Sequence, residues 1–169
     1  MPVNIRRVRP TEGEQFRAIR LRALADSPAA FASTLAETEA RPTGYWETRV
    51  RDGAAGEGSV LFVAEEDTAW IGLAGGYVDE TDGTQVPYLI SMWVDPAHRG
   101  RGIGGALVER VIAWARDRSF ERLVLEVEAT NASAISLYTR YGFRPTGTVQ
   151  PHPTYAGLEE ILMEIHLHR

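Results

Sequence analysis

Two residue types are missing from this sequence, and each absence excludes several kinds of site. The chain contains no cysteine, which excludes disulfide bonds, thiolate zinc sites and cysteine nucleophiles. It also contains no lysine, so all 18 of its Lys and Arg positions are arginine. The phosphate-binding lysine of a P-loop and the Schiff-base lysine of a pyridoxal enzyme are therefore excluded as well. A GC-rich genome would be one explanation for the missing lysine, and the exclusions hold whatever the cause.

Charge and hydropathy argue against two classes of partner. The net charge is −5, whereas a nucleic-acid-binding protein needs a basic face. No apolar stretch approaches the length of about 20 residues that spans a bilayer, and the first residues, MPVNIRRVRP, lack the apolar core of a signal peptide. We therefore expect no nucleic-acid or membrane partner, and a location in the cytoplasm of a bacterium. The length of 169 residues predicts one domain over residues 1–169.

Apolar periodicity and turn residues predict the element order β-α-α-β-β-β-α-β-α-β-β, which is typical of an α/β or α+β layered fold. Residues 26–42 carry only a weak pattern and predict a loop or short helical pieces. Apolar runs predict strands at 3–9, 59–66, 69–79, 86–94, 123–128, 146–150 and 158–168. Spacings of three and four predict helices from about 11, over 43–51, over 103–118 and over 131–142.

Local signals refine this pattern. Thr11 and Glu14 have the spacing of a capping box at the start of the first helix. The adjacent glycines Gly75 and Gly76 predict a bulge in their strand. Asp82-Gly83 predicts a tight hairpin turn, and Asn131 is placed to cap the last helix.

Glycines between a predicted strand and a predicted helix are the strongest functional signal. Gly100, Gly102, Gly104 and Gly105 would each weaken a regular helix or strand by about 1 kcal/mol. Close approach of backbone N–H groups to an anion is the usual compensation at a helix N-terminus. The stretch also satisfies G-x-G-x-x-G, the dinucleotide fingerprint, with Glu126 roughly 20 residues further on. In that fold the glycines follow their strand almost directly, whereas DPAHR intervenes here, so a nucleotide-dependent oxidoreductase is the less favoured alternative.

A second pattern fits the same stretch better. Arg99, Gly102 and Gly104 match [Q/R]-x-x-G-x-[G/A], preceded by VDP and followed by an apolar helix. Both this loop and LEVEATNASAISLYTRYGF at 125–143 resemble the GNAT family of N-acetyltransferases, and the second segment looks like the branch that acetylates the N-terminal alanine of a ribosomal protein. The resemblance extends from about residue 59 to the C-terminus. It implies a mixed, mostly antiparallel seven-stranded sheet flanked by about four helices, with acetyl-CoA as co-substrate. The matching positions of the second segment are Asn131, Ala134, Leu137, Tyr138, Gly142 and Phe143.

The resemblance also implies which residues bind coenzyme A. The loop and first helical turn would give N–H donors to the pyrophosphate, and Arg99 and Arg101 would add positive charge. The strand that ends at Val94 would hold the pantetheine arm with its backbone, while its side chains pack in the core. No metal is implied. The full implied set is Met92, Trp93, Val94, Arg99, Gly100, Arg101, Gly102, Ile103, Gly104, Gly105, Asn131 and Tyr138.

Two side chains are candidates for the chemistry. Tyr138 matches the position of the family tyrosine that protonates the departing thiolate; the alternative is a core tyrosine. Glu126 matches the base of the ribosomal-protein branch, and an acid on so apolar a strand should have a raised pKa. The alternatives are a solvated strand end, with Glu128 or a water relay as the base. A backbone N–H near Trp93 or Val94 would hold the oxyanion.

The acceptor would be a primary amine on a small molecule or a peptide. An α-amino group, with a pKa near 7.7–8.0, loses its proton at pH 7 at a cost of roughly 1.4 kcal/mol, against roughly 4–5 kcal/mol for a lysine amine. This difference favours an α-amino acceptor. By family architecture, residues 26–51 and 75–85 border the acceptor cleft. A non-catalytic acyl-CoA sensor on the same fold is a second alternative, and a homodimer is compatible with the resemblance.

Overall fold

The computed structural model describes residues 2–168, which contain seven strands and five α-helices. The predicted order is confirmed except for one additional short helix, α2, in the 26–42 region. Single 3-10 turns lie at Pro28–Ala30 and Pro96–His98. The strands are β1 (Val3–Arg7), β2 (Ser59–Glu66), β3 (Ala69–Thr81), β4 (Thr84–Val94), β5 (Arg122–Glu128), β6 (Arg144–Pro151) and β7 (Glu159–His166). The helices are α1 (Gly13–Asp26), α2 (Leu35–Glu39), α3 (Thr43–Ala55), α4 (Ile103–Asp117) and α5 (Ala132–Arg140).

The strands form one sheet in the order β1-β2-β3-β4-β5-β7-β6. All neighbouring strands are antiparallel except β4 and β5, which are parallel. A parallel pair needs a long crossover, and α4 supplies it between these two strands. The predicted mixed, mostly antiparallel seven-stranded sheet is therefore confirmed.

The two parallel strands pair at one position and then separate. Their register contains only Tyr88 opposite Val124, although β4 continues to Val94 and β5 to Glu128. The backbone of β4 beyond this pair therefore has no strand neighbour on the β5 side. The separation leaves a gap in the sheet at the carboxyl ends of β4 and β5.

Each face of the sheet carries its own hydrophobic core. On one face, α4 packs the predicted stripe that includes Leu107, Val111 and Ala115, all fully buried, against the inner strands. On the other face, α1 and α3 pack the predicted stripe that includes Phe16 and Ile19. The burial of two stripes at helical spacing accounts for both layers. Within the described residues, no helix has both the length and the hydropathy needed to cross a membrane.

The start of α1 differs from the prediction. Thr11 does not cap the helix; Glu12 is the N-cap residue, and no side chain accepts a hydrogen bond there. The buried Glu12 carboxylate instead accepts hydrogen bonds from both terminal nitrogens of Arg6, at 2.7 and 3.0 Å. Charge-assisted bidentate bonds between arginine and a carboxylate are among the stronger hydrogen bonds in proteins. The tertiary pair between Arg6 and Glu12 therefore takes the place of the predicted Thr11–Glu14 box.

The bulge predicted in β3 lies instead in β4. Leu73 is opposite Trp93 and Gly75 is opposite Ile90, so β4 has one residue more than β3 between these pairs. Ser91 lies within the extra length and has φ 58°, a strained value for a residue with a side chain. The bulge turns the end of β4 at the point where it leaves β5.

Two other local predictions are confirmed. Asp82 and Gly83 both have positive φ, 53° and 75°, as a tight hairpin turn of the type I′ class requires. Asn131 caps α5, because its Oδ1 accepts a hydrogen bond from Ala134 N at 3.1 Å. These signals lie within a few residues of the structure that they determine, so no distant contact overrides them.

Candidate active site

A cavity of about 880 Å³ opens where β4 and β5 separate. Its walls are the carboxyl halves of β4 and β5, the loop before α4 with the first turn of that helix, and one side of α5. The helical layer of α1 and α3 and the 3-10 turn at Pro28–Ala30 form the remaining wall. One continuous cavity thus connects the predicted coenzyme A residues with the predicted acceptor segments.

Eleven of the twelve residues predicted to bind the cofactor line this cavity, and Arg101 is the exception. The lining residues of that set are Met92, Trp93, Val94, Arg99, Gly100, Gly102, Ile103, Gly104, Gly105, Asn131 and Tyr138.

The N-terminus of α4 presents unpaired backbone donors. The first intrahelical bond runs from Ala106 N to Gly102 O at 3.1 Å. Within residues 2–168, the N–H groups from Gly100 to Gly105 donate to no protein acceptor. Unpaired N–H groups at the positive end of a helix of this length form a binding site for a phosphate group.

Two different structural features explain why glycine occupies these four positions of the loop. Gly100 and Gly102 both have φ 79°, and a Cβ at either position would have nothing within 4 Å. These two are required by backbone conformation. Gly104 and Gly105 have ordinary helical φ, but a Cβ at Gly104 would lie 3.1 Å from Met92, and one at Gly105 would overlap the Tyr141 hydroxyl. The second pair lies where side chains of β4 and α5 pack closely on α4, so a larger residue there would make the Met92 or Tyr141 side chain shift.

The Arg99 side chain forms hydrogen bonds with the ends of β4 and α1. Its Nε donates to Val94 O at 2.9 Å and its Nη2 to Asp26 Oδ2 at 2.7 Å. Asp26 also accepts a hydrogen bond from Trp93 Nε1 at 3.0 Å. The Trp93 bond, followed by the bonds from Ser27 and Arg99, lowers the pKa of Asp26. Sequence reasoning missed Asp26, because only the packing of α1 beside β4 brings it to the loop.

Arg101 points to a different surface. Its Nη2 forms an ion pair with Glu66 Oε2 at 2.6 Å, and its side chain does not line the main cavity. Only its backbone therefore lies in the loop that faces the cavity. The predicted charge contribution of Arg101 to a phosphate group is not supported by this placement.

Tyr138 lies in the second turn of α5 and faces the cavity from a nearly dry position. It is 7% exposed, and its ring packs edge-on against Phe143 with 5.9 Å between the ring centroids. Burial raises the pKa of Tyr138 above that of an ordinary phenol. The hydroxyl therefore keeps its proton at neutral pH, and it can act as a donor to a strong base formed beside it.

Glu126 faces the cavity from β5, on the opposite side of the strand from the core residues Leu125 and Val127. Its side chain is exposed by solvent accessibility, but it lines the cavity, whose walls remove part of its hydration. Burial, followed by the negative charges of Glu160 and Asp79, raises the pKa of Glu126. The predicted direction of this shift is confirmed.

Glu160 was not identified from the sequence, although it lies beside Glu126. It is 8% exposed and accepts a hydrogen bond from Gln150 Nε2 at 3.3 Å. Its position follows from the antiparallel pairing of β7 with β5, which sets Glu160 opposite Glu128. The pairing joins segments about thirty residues apart, and no local pattern encodes that register.

Glu128, the fallback base, is buried in a turn. Its Oε2 accepts from Thr130 N at 3.1 Å and from Thr130 Oγ1 at 2.6 Å. Its Oε1 has no hydrogen-bond partner within the described part of the chain. The first oxygen therefore stabilises the chain reversal before α5, while the second is a buried acceptor beside the cavity.

The predicted acceptor segments do border the cavity. Ser27, residues 29–32 and Arg49 line it from the 26–51 segment, and Tyr77 and Asp79 line it from the 75–85 segment. Trp46, by contrast, is 3% exposed within the core. Sequence reasoning missed Arg20, which reaches the cavity from α1.

The loop between β6 and β7 fixes the 3-10 turn that borders the acceptor side. His152 Nε2 lies 2.9 Å from Ala29 O, and Thr154 Oγ1 donates to Ala32 O. His152 is buried by these contacts. In residues 2–168, no group of three or more His, Cys, Asp and Glu side chains is arranged to hold a metal ion.

A protein-family model described as the acetyltransferase (GNAT) family matches residues 14–143. Human N-acetyltransferase 8 is 35% identical over 92 residues, which are 53% of this chain and 40% of that protein. The chain thus spans less than half the length of this curated relative.

Solved structures share the fold over its full extent. The ribosomal-protein-alanine N-acetyltransferase of Brucella melitensis has a TM-score of 0.77 and 28% identity, covering 97% of this chain and 99% of that one. The PaiA N-acetyltransferase of Thermoplasma acidophilum, solved in complex with coenzyme A, has a TM-score of 0.76 and 16% identity, covering 98% and 99%. The second likeness is one of fold alone.

Proposed function

Because the chain belongs to the acetyltransferase (GNAT) family, we propose that it transfers the acetyl group of acetyl-CoA to a primary amine by direct attack. The observation that carries this proposal is the single cavity that connects the unpaired N–H groups of α4 with Tyr138 and Glu126. Acetyl-CoA supplies the thioester, whose C–S bond breaks as the C–N bond forms. The chain itself must bind, orient and move two protons.

Binding begins at the N-terminus of α4. The donors from Gly100 to Gly105 and the helix dipole fit the two charges of a pyrophosphate group. The backbone of β4 beyond Tyr88 has no strand neighbour on the β5 side, so it can bind the pantetheine amides as an added strand would. The Val94 carbonyl already accepts from Arg99, which leaves the backbone of Met92 and Trp93 for this role.

Proton transfer is assigned to two side chains. Glu126 takes the proton that the attacking amine loses, and its raised pKa makes it a stronger base than an ordinary carboxylate. Tyr138 gives a proton to the departing thiolate. A phenol is a weak acid at its ordinary pKa near 10, so its contribution depends on position within the dry pocket against Phe143.

For the acceptor, we propose an α-amino group. An α-amino group has a lower pKa than a lysine amine, so a single carboxylate base can deprotonate it at a lower cost in free energy. The similarity of the 125–143 segment to the ribosomal-protein alanine branch supports this choice, together with the likeness to the Brucella enzyme of that name. We further propose a cytoplasmic location and a single domain, on the sequence arguments above; a homodimer is compatible with the family resemblance.

The test is coenzyme A release by the purified protein with acetyl-CoA and a panel of amines: peptides, polyamines, amino acids and aminoglycosides. Calorimetry with acetyl-CoA and with NADH runs in parallel. Release of coenzyme A with at least one amine, and binding of acetyl-CoA but not NADH, is the expected result. Binding without turnover on every amine would establish the sensor alternative, and NADH binding without coenzyme A binding would establish the oxidoreductase.

A further inference from the structure

Two arginines face the acceptor side of the cavity without a carboxylate partner. Arg20 reaches it from α1 and Arg49 from α3, and both are half-buried. Across residues 2–168, no carboxylate oxygen lies within 4.0 Å of either guanidinium group, although other arginines, such as Arg99 with Asp26, form such pairs. Partly buried cations are normally paired, so their absence of partners needs a reason.

Neutral groups hold Arg20 in place. Its Nη1 donates to Ser91 Oγ at 2.9 Å, and its Cζ lies 4.2 Å from the centre of the Phe31 ring. Phe31 is 4% exposed. Ser91 lies in the β4 bulge at positive φ, so a strained backbone position serves to present a hydroxyl group to Arg20. One edge of the guanidinium is thus used, and the others remain available to the cavity.

The second arginine is oriented in a similar way and adds to the charge. Arg49 Nη1 donates to Tyr45 Oη at 2.9 Å. Burial and the nearby charge of Arg49 lower the pKa of Arg20 to about 10, so Arg20 is still cationic at pH 7. Two like charges in a partly dry cavity repel each other, and a bound anion would remove that repulsion.

The opposite wall of the cavity carries negatively charged side chains. Asp79, Glu126 and Glu160 line the sheet side of the same cavity. A molecule with an ammonium group and a carboxylate group can satisfy both walls at once. The carboxylate would lie beside Ser91, which directly precedes the Met92–Val94 segment where the thioester is expected. This closeness favours a carboxylate only one carbon away from the reacting nitrogen.

We propose that Arg20 and Arg49 bind the carboxylate of the acceptor, which is therefore a free α-amino acid. The proposal rests on the acetyltransferase function proposed above and specifies its substrate class. A peptide N-terminus lacks this carboxylate, since an amide group takes its place, and a polyamine would be repelled by the two arginines.

The first experiment compares matched substrates on the unmodified protein. Free L-amino acids, their carboxamides and short peptides that begin with the same residues are assayed for coenzyme A release. We expect kcat/KM to be about 100-fold higher for the free acids than for the carboxamides, because the carboxamide leaves two buried cations unpaired. Equal kcat/KM values for the two series, or faster turnover of peptides, would overturn this inference and leave the proposed function in place.

The second experiment removes each cation in turn. Arg20→Met and Arg49→Met should raise KM for the amino acid at least tenfold, with little change on the carboxamide, and Arg20→Lys should recover part of the loss. Arg17→Met is the matched control, since Arg17 is exposed on the same helix and does not line the cavity. Calorimetry with acetyl-CoA should give an unchanged Kd in each variant, which shows that the fold is intact.

The outcomes separate the two proposals. If the variants lose activity equally on acids and carboxamides, the arginines do not bind the carboxylate. If Arg20→Met does not fold, Arg49→Met alone decides, because the hydrogen bond of Arg49 stays within its own helix and its guanidinium otherwise lies over the Phe16 and Tyr45 rings. Failure of every amine to release coenzyme A contradicts the acetyltransferase function itself.

Discussion

The two ends of the cavity recognise their ligands with different parts of the chain. At the α4 end, the donors are backbone N–H groups, held by two glycines in the left-handed conformation. At the acceptor end, the groups are charged side chains, with arginines on the helical wall and carboxylates on the sheet wall. A backbone site keeps its donors under almost any substitution that preserves the helix. A side-chain site changes its ligand with one mutation.

This difference explains why one end of the cavity suits a common carrier and the other a variable acceptor. The α4 donors recognise a phosphate group by geometry and by the helix dipole, and they need no particular side chain. The acceptor wall draws on residues from α1, α3, β3, β5 and β7. Changing any one of these elements would alter the acceptor and leave the carrier site intact.

The largest expected effect comes from filling the backbone site. Gly102→Trp introduces a side chain at φ 79°, directly at the N-cap of α4, where it would cover the free N–H groups. We expect calorimetry to detect no binding of acetyl-CoA. Gly83→Trp is the matched control, because it has φ 75° and nothing within 4 Å of its Cβ, but lies in the β3–β4 turn. Equal loss in the two variants would attribute the effect to general strain rather than to the donors.

The next largest effect comes from Tyr138, which lies between the two ends of the cavity. Tyr138→Phe removes only the proposed proton donor and keeps the ring packed against Phe143. We expect kcat to fall by about 10² to 10⁴, with the Kd of acetyl-CoA within about twofold of the unmodified protein. Tyr155→Phe, outside the cavity lining, should change neither value. An unchanged kcat in Tyr138→Phe would leave this residue a core tyrosine.

The difference between the two ends of the cavity also explains which features could be predicted from the sequence. The α4 loop, the helix stripes, the hairpin at Asp82-Gly83 and the Asn131 cap depend on residues close together in the chain, and their local patterns predict them correctly. The start of α1 was mispredicted because a tertiary ion pair, Arg6 with Glu12, replaces the local capping box.

The acceptor wall was only partly predictable for a physical reason. Arg20 and Glu160 are distant in sequence, and each reaches the cavity through strand or helix packing that no local period records. Glu126 could be identified because a resemblance to a known motif singled it out. Arg101 shows the reverse case, since its place in the loop predicts a charge at the phosphate site but its ion pair with Glu66 turns its side chain away.

A smaller effect, on the pH dependence of kcat/KM, tests the carboxylates on the sheet side of the cavity. Glu126 must be ionised to accept a proton, so kcat/KM should rise with pH through its pKa, and Glu126→Gln should abolish this acidic limb. Glu160 helps to raise that pKa. Glu160→Gln removes a neighbouring negative charge, so the pKa of Glu126 falls and the limb should move to lower pH. Glu164→Gln, paired with Arg122 and outside the cavity lining, should leave the limb in place.

The same pH profiles of kcat/KM distinguish Glu126 from Glu128, the alternative base. Glu128 keeps one buried oxygen without a hydrogen-bond partner in the described chain. If Glu128→Gln abolishes the acidic limb while Glu126→Gln retains it, the assignment of the base to Glu126 is wrong. Persistence of the limb in both variants would point to a water relay.

The smallest effect separates two arginines that were both predicted to add positive charge to the phosphate site. Arg99 lines the cavity beside the α4 donors, whereas the Arg101 guanidinium is held by Glu66 on another surface. Arg99→Met should weaken acetyl-CoA binding by about fivefold, which is roughly 1 kcal/mol, and the loss should shrink at high salt because Arg99 is exposed. Arg101→Met should leave the Kd within about twofold. Equal losses would mean that the loop rearranges to bring both side chains to the phosphates, and the contrast between a backbone site and a side-chain site would then weaken.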